Sequence, residues 1–139
     1  MFRSFDITAS GLTAERLRMD VIAGNVANAN STRSERGGAY RRLMVVLQER
    51  DSVASSPQGR FSGSGVRVSR IVDDPSPLPL VYNPSHPDAR PDGYVEMPNV
   101  NPVTEMVDLI AASRAYEANV TVFNASKEMA RRALDIGRA

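Results

Sequence analysis

Apolar residues recur at seven-residue intervals near the amino terminus. Phe5, Leu12, Met19 and Val26 form the main row. Ile22 and Ala29 follow Met19 and Val26 by three, and Ala9 and Ala23 follow Phe5 and Met19 by four. Such steps describe a helix that is apolar along a narrow stripe, so a helix is predicted from about Ser4 to about Asn28. Gly11 and Gly24 lie inside it, each costing about 0.5–1 kcal/mol relative to Ala. They either admit a close neighbour or mark weak points. The run Ala27-Asn28-Ala29-Asn30-Ser31-Thr32 ends the pattern, because Asn and Ser side chains compete for backbone hydrogen bonds.

A second helical pattern occupies the other end. Asn101 is a good N-cap and Pro102 suits the first helical position. Glu105 and Asp108 complement the positive end of the helix dipole, and Arg131, Arg132 and Arg138 lie near the negative end. Gly137 supplies a stop. The apolar stripe reads Met106, Leu109, Ile110, Tyr116, Val120, Phe123, Ala130 and Leu134. A helix from Pro102 to Ile136 would be about 52 Å long. Ser113 and Lys127 interrupt the seam side. A polar seam position sets register or oligomer state, and a long Lys side chain can instead snorkel to water. Narrow seams on helices of this length need partners on more than one face.

The segment between reads differently. Tyr40 to Gln48, Val66 to Val72, Leu80 to Tyr82 and Tyr94 to Met97 carry strand formers. They are separated by turn-rich loops at Ser31 to Gly38, Arg50 to Ser64, Asp73 to Pro79 and Asn83 to Gly93. All nine prolines fall between Pro57 and Pro102. Proline breaks helix interiors, so long helices are confined to the two ends. The predicted class is α+β: long terminal helices pairing as an antiparallel coiled-coil-like unit, with a small β-rich, proline-rich middle. The divisions are residues 1–32, 33–100 and 101–139.

Composition narrows the chemistry. The chain has 139 residues and a net charge of +1, with no Cys and a single His. One domain fits that length. Disulfides, thiolate metal sites and two-His zinc motifs are excluded. No apolar run approaches a membrane span. The first residues lack a continuous apolar core, which argues against a cleaved secretory signal. Arg41-Arg42 and Arg131-Arg132 are isolated basic pairs with no aromatic platform, and no nucleic-acid footprint emerges. His86 stands near Ser85, Asp88 and Asp92 in a proline-flanked loop. Triads are recognised by geometry and not by adjacency, so these residues read as turn formers. No calcium loop or phosphate loop is present. No catalytic residue, cofactor or metal is expected.

Two stretches resemble a known family. Ala9 to Asn30, with Ser10-Gly11-Leu12 and then Asp20-Val21-Ile22-Ala23-Gly24-Asn25-Val26-Ala27-Asn28-Ala29-Asn30, is similar to the amino-terminal signature of bacterial flagellar rod and hook proteins. Asn99-Val100-Asn101, Glu105-Met106-Val107 and Ser113 to Asn119 match its carboxy-terminal block. Tyr82 to Ala89, Gly93-Tyr94-Val95 and Pro98 to Asn101 resemble the small proximal-rod members, as does the length. Pro102 stands where the family often has an aliphatic residue, and Gly24 where it often has Ser.

The resemblance implies a structural subunit of the basal-body rod, the shaft that joins the rotor to the hook. It implies export by the flagellar type III apparatus, a role in motility, and ends that become helical on assembly. The partners implied are copies of itself, other rod proteins, the protein joining rod to MS ring, and the export apparatus. Neither nucleic acid nor membrane insertion is implied. The assembly seam would join Leu12, Met19, Ile22 and Val26 to Met106, Ile110, Tyr116, Val120 and Phe123. The same residues would serve an ordinary internal core. Asn25 and Asn28 would make helix-end contacts, or simply terminate the helix. Two other classes compete: a secreted coiled-coil adaptor or translocator-like protein of fixed oligomeric mass, and a small hydrolase using His86.

Overall fold

The computed structural model describes residues 2–50 and 63–137. Its elements are α1 (Phe2–Ala27), β1 (Leu43–Glu49), β2 (Val66–Asp73), β3 (Leu80–Tyr82), β4 (Tyr94–Glu96) and α2 (Pro102–Ile136). The fold is α+β. Most of the loop expected from Arg50 to Ser64, positions 51–62, lies outside the described residues.

The start of α2 follows its local chemistry. The Asn101 side chain accepts from the backbone N–H groups of Val103 and Thr104, at 3.0 and 3.4 Å. Pro102 fills the first position, and Glu105 lies in the first turn. At the far end Gly137 has φ of −75°, so the stop uses no left-handed glycine conformation. The last turn contains no basic residue, and Arg131 and Arg132 precede it. In α1, Thr8 and Thr13 donate to carbonyls four residues back, and the helix closes at Ala27. Asn28 then donates both its backbone N–H and its side-chain amide to the Gly24 carbonyl.

The two helices run antiparallel. Phe5 meets Phe123 edge-on at 5.2 Å between centroids, Gly11 lies against Asn119, and Asn25 bonds to Glu105. As numbers rise along α1 they fall along α2. The buried residues of α2 are Glu105, Ala112 and Ser126, a heptad row of small or polar side chains. A Cβ on Gly11 would approach the Asn119 amide to 3.1 Å. Small side chains on this line let the helices come close.

The middle holds two separate antiparallel pairs. β1 and β2 register Leu43 with Asp73 and Glu49 with Val66, with an irregularity between Val46 and Leu47. β3 and β4 register Leu80 with Glu96 and Tyr82 with Tyr94. β1 begins three residues later than Tyr40. The Tyr40 N–H is taken by the Ser31 carbonyl and the Arg42 N–H by the Asn99 side chain, so neither joins the ladder. The buried apolar core is thin: Ala14, Ile22, Ala29, Ala39, Val95 and Ala112 among the described residues. Buried polar side chains, Thr8, Asn25, Glu105 and Ser126, complete it.

Candidate assembly interface

One polar node fixes the middle unit to the helix pair. Asn25, buried on α1, fills its hydrogen-bonding capacity. Its Nδ2 donates to the Leu43 carbonyl and to Glu105 Oε2, both at 2.9 Å. Its Oδ1 accepts from the Leu43 N–H and from the Tyr40 hydroxyl, both at 2.9 Å. The side-chain amide thus stands where a neighbouring strand would stand beside β1. Burial, then the charges of Glu105 and Asp73, raise the Tyr40 phenol, which keeps it protonated as a donor.

Glu105 is fully buried and needs a cation. Arg42 Nε donates to its Oε1 at 2.5 Å, while the same guanidinium reaches Asp108 at 3.4 Å and Asp74 at 3.7 Å. Partial burial tends to lower the Arg42 pKa, but the Glu105 hydrogen bond and the three carboxylates outweigh it and raise it. Asn99 accepts the Arg42 N–H at 2.8 Å and donates to the Asp74 and Ser76 carbonyls. A second tie lies nearer the amino terminus. Ser10 Oγ donates to the Ile7 carbonyl at 2.6 Å and accepts from the Val66 N–H at 3.0 Å. Gly65 has φ of +87°, and a Cβ there would collide with that hydroxyl.

The expected seam residues are distributed unevenly. Ile22 and Asn25 are buried. Leu12, Met19, Val26, Asn28, Tyr116, Val120 and Phe123 are half-buried. Met106 and Ile110 turn away from α1 and are 52% and 55% exposed. The α2 line facing α1 passes instead through Glu105, Ala112 and Asn119. The sequence reading missed Glu105, Arg42, Tyr40, Ser10 and Asn99. One available signal was the seven-residue row Glu105, Ala112, Asn119, Ser126, which parallels the row in α1. Asn25 does more than end a helix: it carries the junction. Asn28 does serve the helix end, accepting from the Ser31 hydroxyl and donating to Gly24.

The other polar side chains singled out in the sequence are engaged in turns and ion pairs. His86 Nδ1 accepts the Asp88 N–H at 3.0 Å, a turn contact. Asp88 is committed to Thr32 and Arg33, at 2.8 and 2.5 Å. No metal-ligating cluster exists among the described residues. A groove of about 710 Å³ opens beside Arg33, Arg36, Arg41 and Tyr40. Its guanidinium groups are engaged by Asp88, Asp73 and the carbonyls of Asp74 and Ser76. No described helix is long and apolar enough to cross a membrane.

Comparison with known proteins identifies the family. Residues 5–33 match the family model described as flagella basal body rod protein. Residues 92–136 match the model described as flagellar basal body rod FlgEFG protein C-terminal. These segments hold α2, α1 from Phe5 onward, the node residues Asn25 and Glu105, and β4. Over 99% of its length the chain is 48% identical to the flagellar basal-body rod protein FlgC of Bacillus subtilis, covering 98% of that protein. It is 49% identical to the protein of the same name from Borreliella burgdorferi over 98% of this chain and 97% of the relative. For Salmonella typhimurium the identity is 42%, over 96% of both chains. The chain therefore belongs to the FlgC family of flagellar basal-body rod proteins, and is a structural, non-enzymatic subunit of the bacterial flagellar basal body.

Proposed function

We propose that the subunit builds the proximal rod by packing its terminal helices against those of neighbours in a helical array. Contacts of the head-to-tail kind extend as open filaments when the rotation does not close. The observation that carries this reading is the apolar surface left on α2. Val103, Met106, Val107, Ile110, Val122, Met129, Leu134 and Ile136 are all exposed, from 52% to 78%. Fully burying each such side chain is worth about 1.5–3 kcal/mol, of which the single chain collects only part. Exposed apolar patches of this kind mark interaction surfaces.

In this reading residues 1–32 and 101–139 are assembly arms that pair in coiled-coil fashion. Residues 33–100 are the outer unit, which meets other rod proteins. Copies of the chain, adjacent rod subunits, the rod-to-MS-ring junction protein and the type III export apparatus are its partners, and motility is the phenotype. Leu12, Met19, Val26, Tyr116, Val120 and Phe123 support the arms from within, and Met106 and Ile110 from without.

The test is Val122→Asp combined with Met129→Asp, two exposed positions. The variant is expected to accumulate and fold normally while rods and swimming are lost. A strain that swims with both substitutions refutes the reading. A discrete oligomer of fixed mass from the purified wild-type chain would favour an adaptor over a rod subunit.

A further inference from the structure

Two exposed helix faces carry charges that have no partner within the chain. On α2, Val103, Val107, Ile110, Arg114 and Glu117 follow one another by steps of four and three. They therefore share one face, and all five are exposed. At about 100° per residue, this face lies opposite the Ala112–Asn119 line that meets α1. On α1, Arg16, Asp20, Ala23 and Ala27 share a face by the same steps, and all four are exposed. That face turns away from the buried Ile22 and Asn25. Beside it, Gly24 looks onto open space. The ion pairs lying within a helix are Arg18 with Glu15 and Arg132 with Glu128. Arg16, Asp20, Arg114 and Glu117 enter no ion pair or side-chain hydrogen bond among the described residues.

The two faces are complementary when read in opposite directions. From its amino terminus, the α2 face runs through three apolar residues, then Arg114, then Glu117. Read back from Ala27, the α1 face runs through two small residues, then Asp20, then Arg16. Opposite signs meet at both charged positions. In the same register Ile110 stands over Gly24 and Val107 over Ala27, where backbone can be approached closely. Charges flanking an apolar seam select the partner, its orientation and its register. Within one chain the two faces point in different directions, so they can meet only between copies. The register also has a definite height. Asn25 stands level with Glu105, and Gly11 with Asn119, which puts Arg16 level with Arg114. A neighbour at the same height would set those two like charges against each other. The complementary register displaces it by three to four residues, about 5–6 Å along the axis.

We propose that the Val103–Glu117 face of α2 packs antiparallel against the Arg16–Ala27 face of α1 from a second copy, pairing Arg114 with Asp20 and Glu117 with Arg16. This inference rests on the rod reading above, and adds which two faces meet, in what polarity and with what axial step. Both copies point the same way. The contact is heterologous, and the step keeps it from closing into a flat ring.

The chain has no Cys, so introduced thiols are unambiguous reporters. The test uses a strain whose only copy of the protein carries Asp20→Cys and Arg114→Cys. Swimming reports that the rod has formed. Basal bodies are treated with a bismaleimide spanning about 8–10 Å, the distance between packed helix axes. The expected products are dimers and higher multimers on a denaturing gel, with positions 20 and 114 joined in the mapped peptides. Thr13→Cys with Arg114→Cys lies about two turns out of register, and its cross-linking is expected to fall to background. Monomer alone from a swimming strain, or equal yields from the two pairs, overturns the docking, and in either case the rod reading stands. If the paired cysteines stop swimming, a charge exchange decides. Asp20→Arg alone and Arg114→Asp alone are each expected to lose swimming, and the two together to restore it. Single variants that swim normally, or a pair that swims no better than either single variant, overturn the docking. The Val122→Asp, Met129→Asp variant tests the rod reading separately.

Discussion

Replacing Asn25 by Ala should loosen the attachment of the middle unit to both helices. Four hydrogen bonds, each 2.9 Å long, disappear from a site where Asn25 is 1% exposed. At about 1 kcal/mol for each intramolecular hydrogen bond, the loss is about 4 kcal/mol. That is a large share of the 5–15 kcal/mol typical of a domain. With a urea slope of about 2 kcal/mol per molar, the midpoint falls by about 2 M. The measurement is urea unfolding of the purified chain followed by far-ultraviolet circular dichroism, with amide exchange at Leu43 as a local report. Asn25→Asp conserves volume but replaces the twice-donating Nδ2 by a single oxygen that faces both the Leu43 carbonyl and Glu105. It should cost at least as much as Ala, which separates polarity from packing. Asn28→Ala is the control, since it removes one bond to Gly24 and one from Ser31; a loss of about 2 kcal/mol is expected there, half that at Asn25. Equal midpoint shifts for Asn25→Ala and Asn28→Ala would refute the assignment of Asn25 as the junction of a single chain.

Three further outcomes follow from local geometry. Gly24→Ala meets nothing within 4 Å and should raise stability by about 0.5–1 kcal/mol through helix propensity, whereas Gly11→Ala must displace the Asn119 amide and should gain less; thermal melts of the two variants compare them directly. Gly65→Ala combines a left-handed φ with a collision at Ser10, so it should destabilise by about 2 kcal/mol, and Ser10→Gly in the same chain should recover part of the loss. The Thr32 hydroxyl, then the Arg33 guanidinium, hold the Asp88 carboxyl below the ordinary carboxylate range. Their tie is therefore intact above that range and is lost as pH falls through the lowered value. Thr32→Val should move the loss to higher pH, read from the Asp88 carboxyl carbon by NMR titration.

The elements set by short-range chemistry were legible in the chain. Asn101-Pro102 places the start of α2 where it is found, and β3 occupies the three residues read as a strand. The heptad row Phe5, Leu12, Met19, Val26 follows the helix found from Phe2 to Ala27. What escaped were polar contacts between distant positions. Glu105 read as a residue suited to a helix amino terminus, and so it is. Its burial depends on Arg42 and Asn25, 63 and 80 positions away. No local pattern announces such a meeting. Met106 and Ile110 belong to the apolar stripe by their spacing, and spacing alone does not say which side of the helix meets α1. A helix with surfaces to bury on more than one side carries its largest apolar groups where contacts are widest. On the line against α1, Ala112, Asn119 and Ser126 are compact because the backbones approach closely there.

The amide of Asn25 standing in for a strand beside β1 has a mechanical consequence. Proteins often join layers through linkers that stretch before they transmit force. Here the helix layer and the β layer are keyed together by Asn25 to Leu43, Arg42 to Glu105 and Ser10 to Val66. The first two belong to one node and the third lies nearer the amino terminus, so the layers are held at two points along the helix pair. A twisting load applied to the helices reaches the β-rich middle as shear across fixed polar contacts, with no slack to take up first. Backlash is thereby removed at the level of one molecule, before any neighbour contributes stiffness.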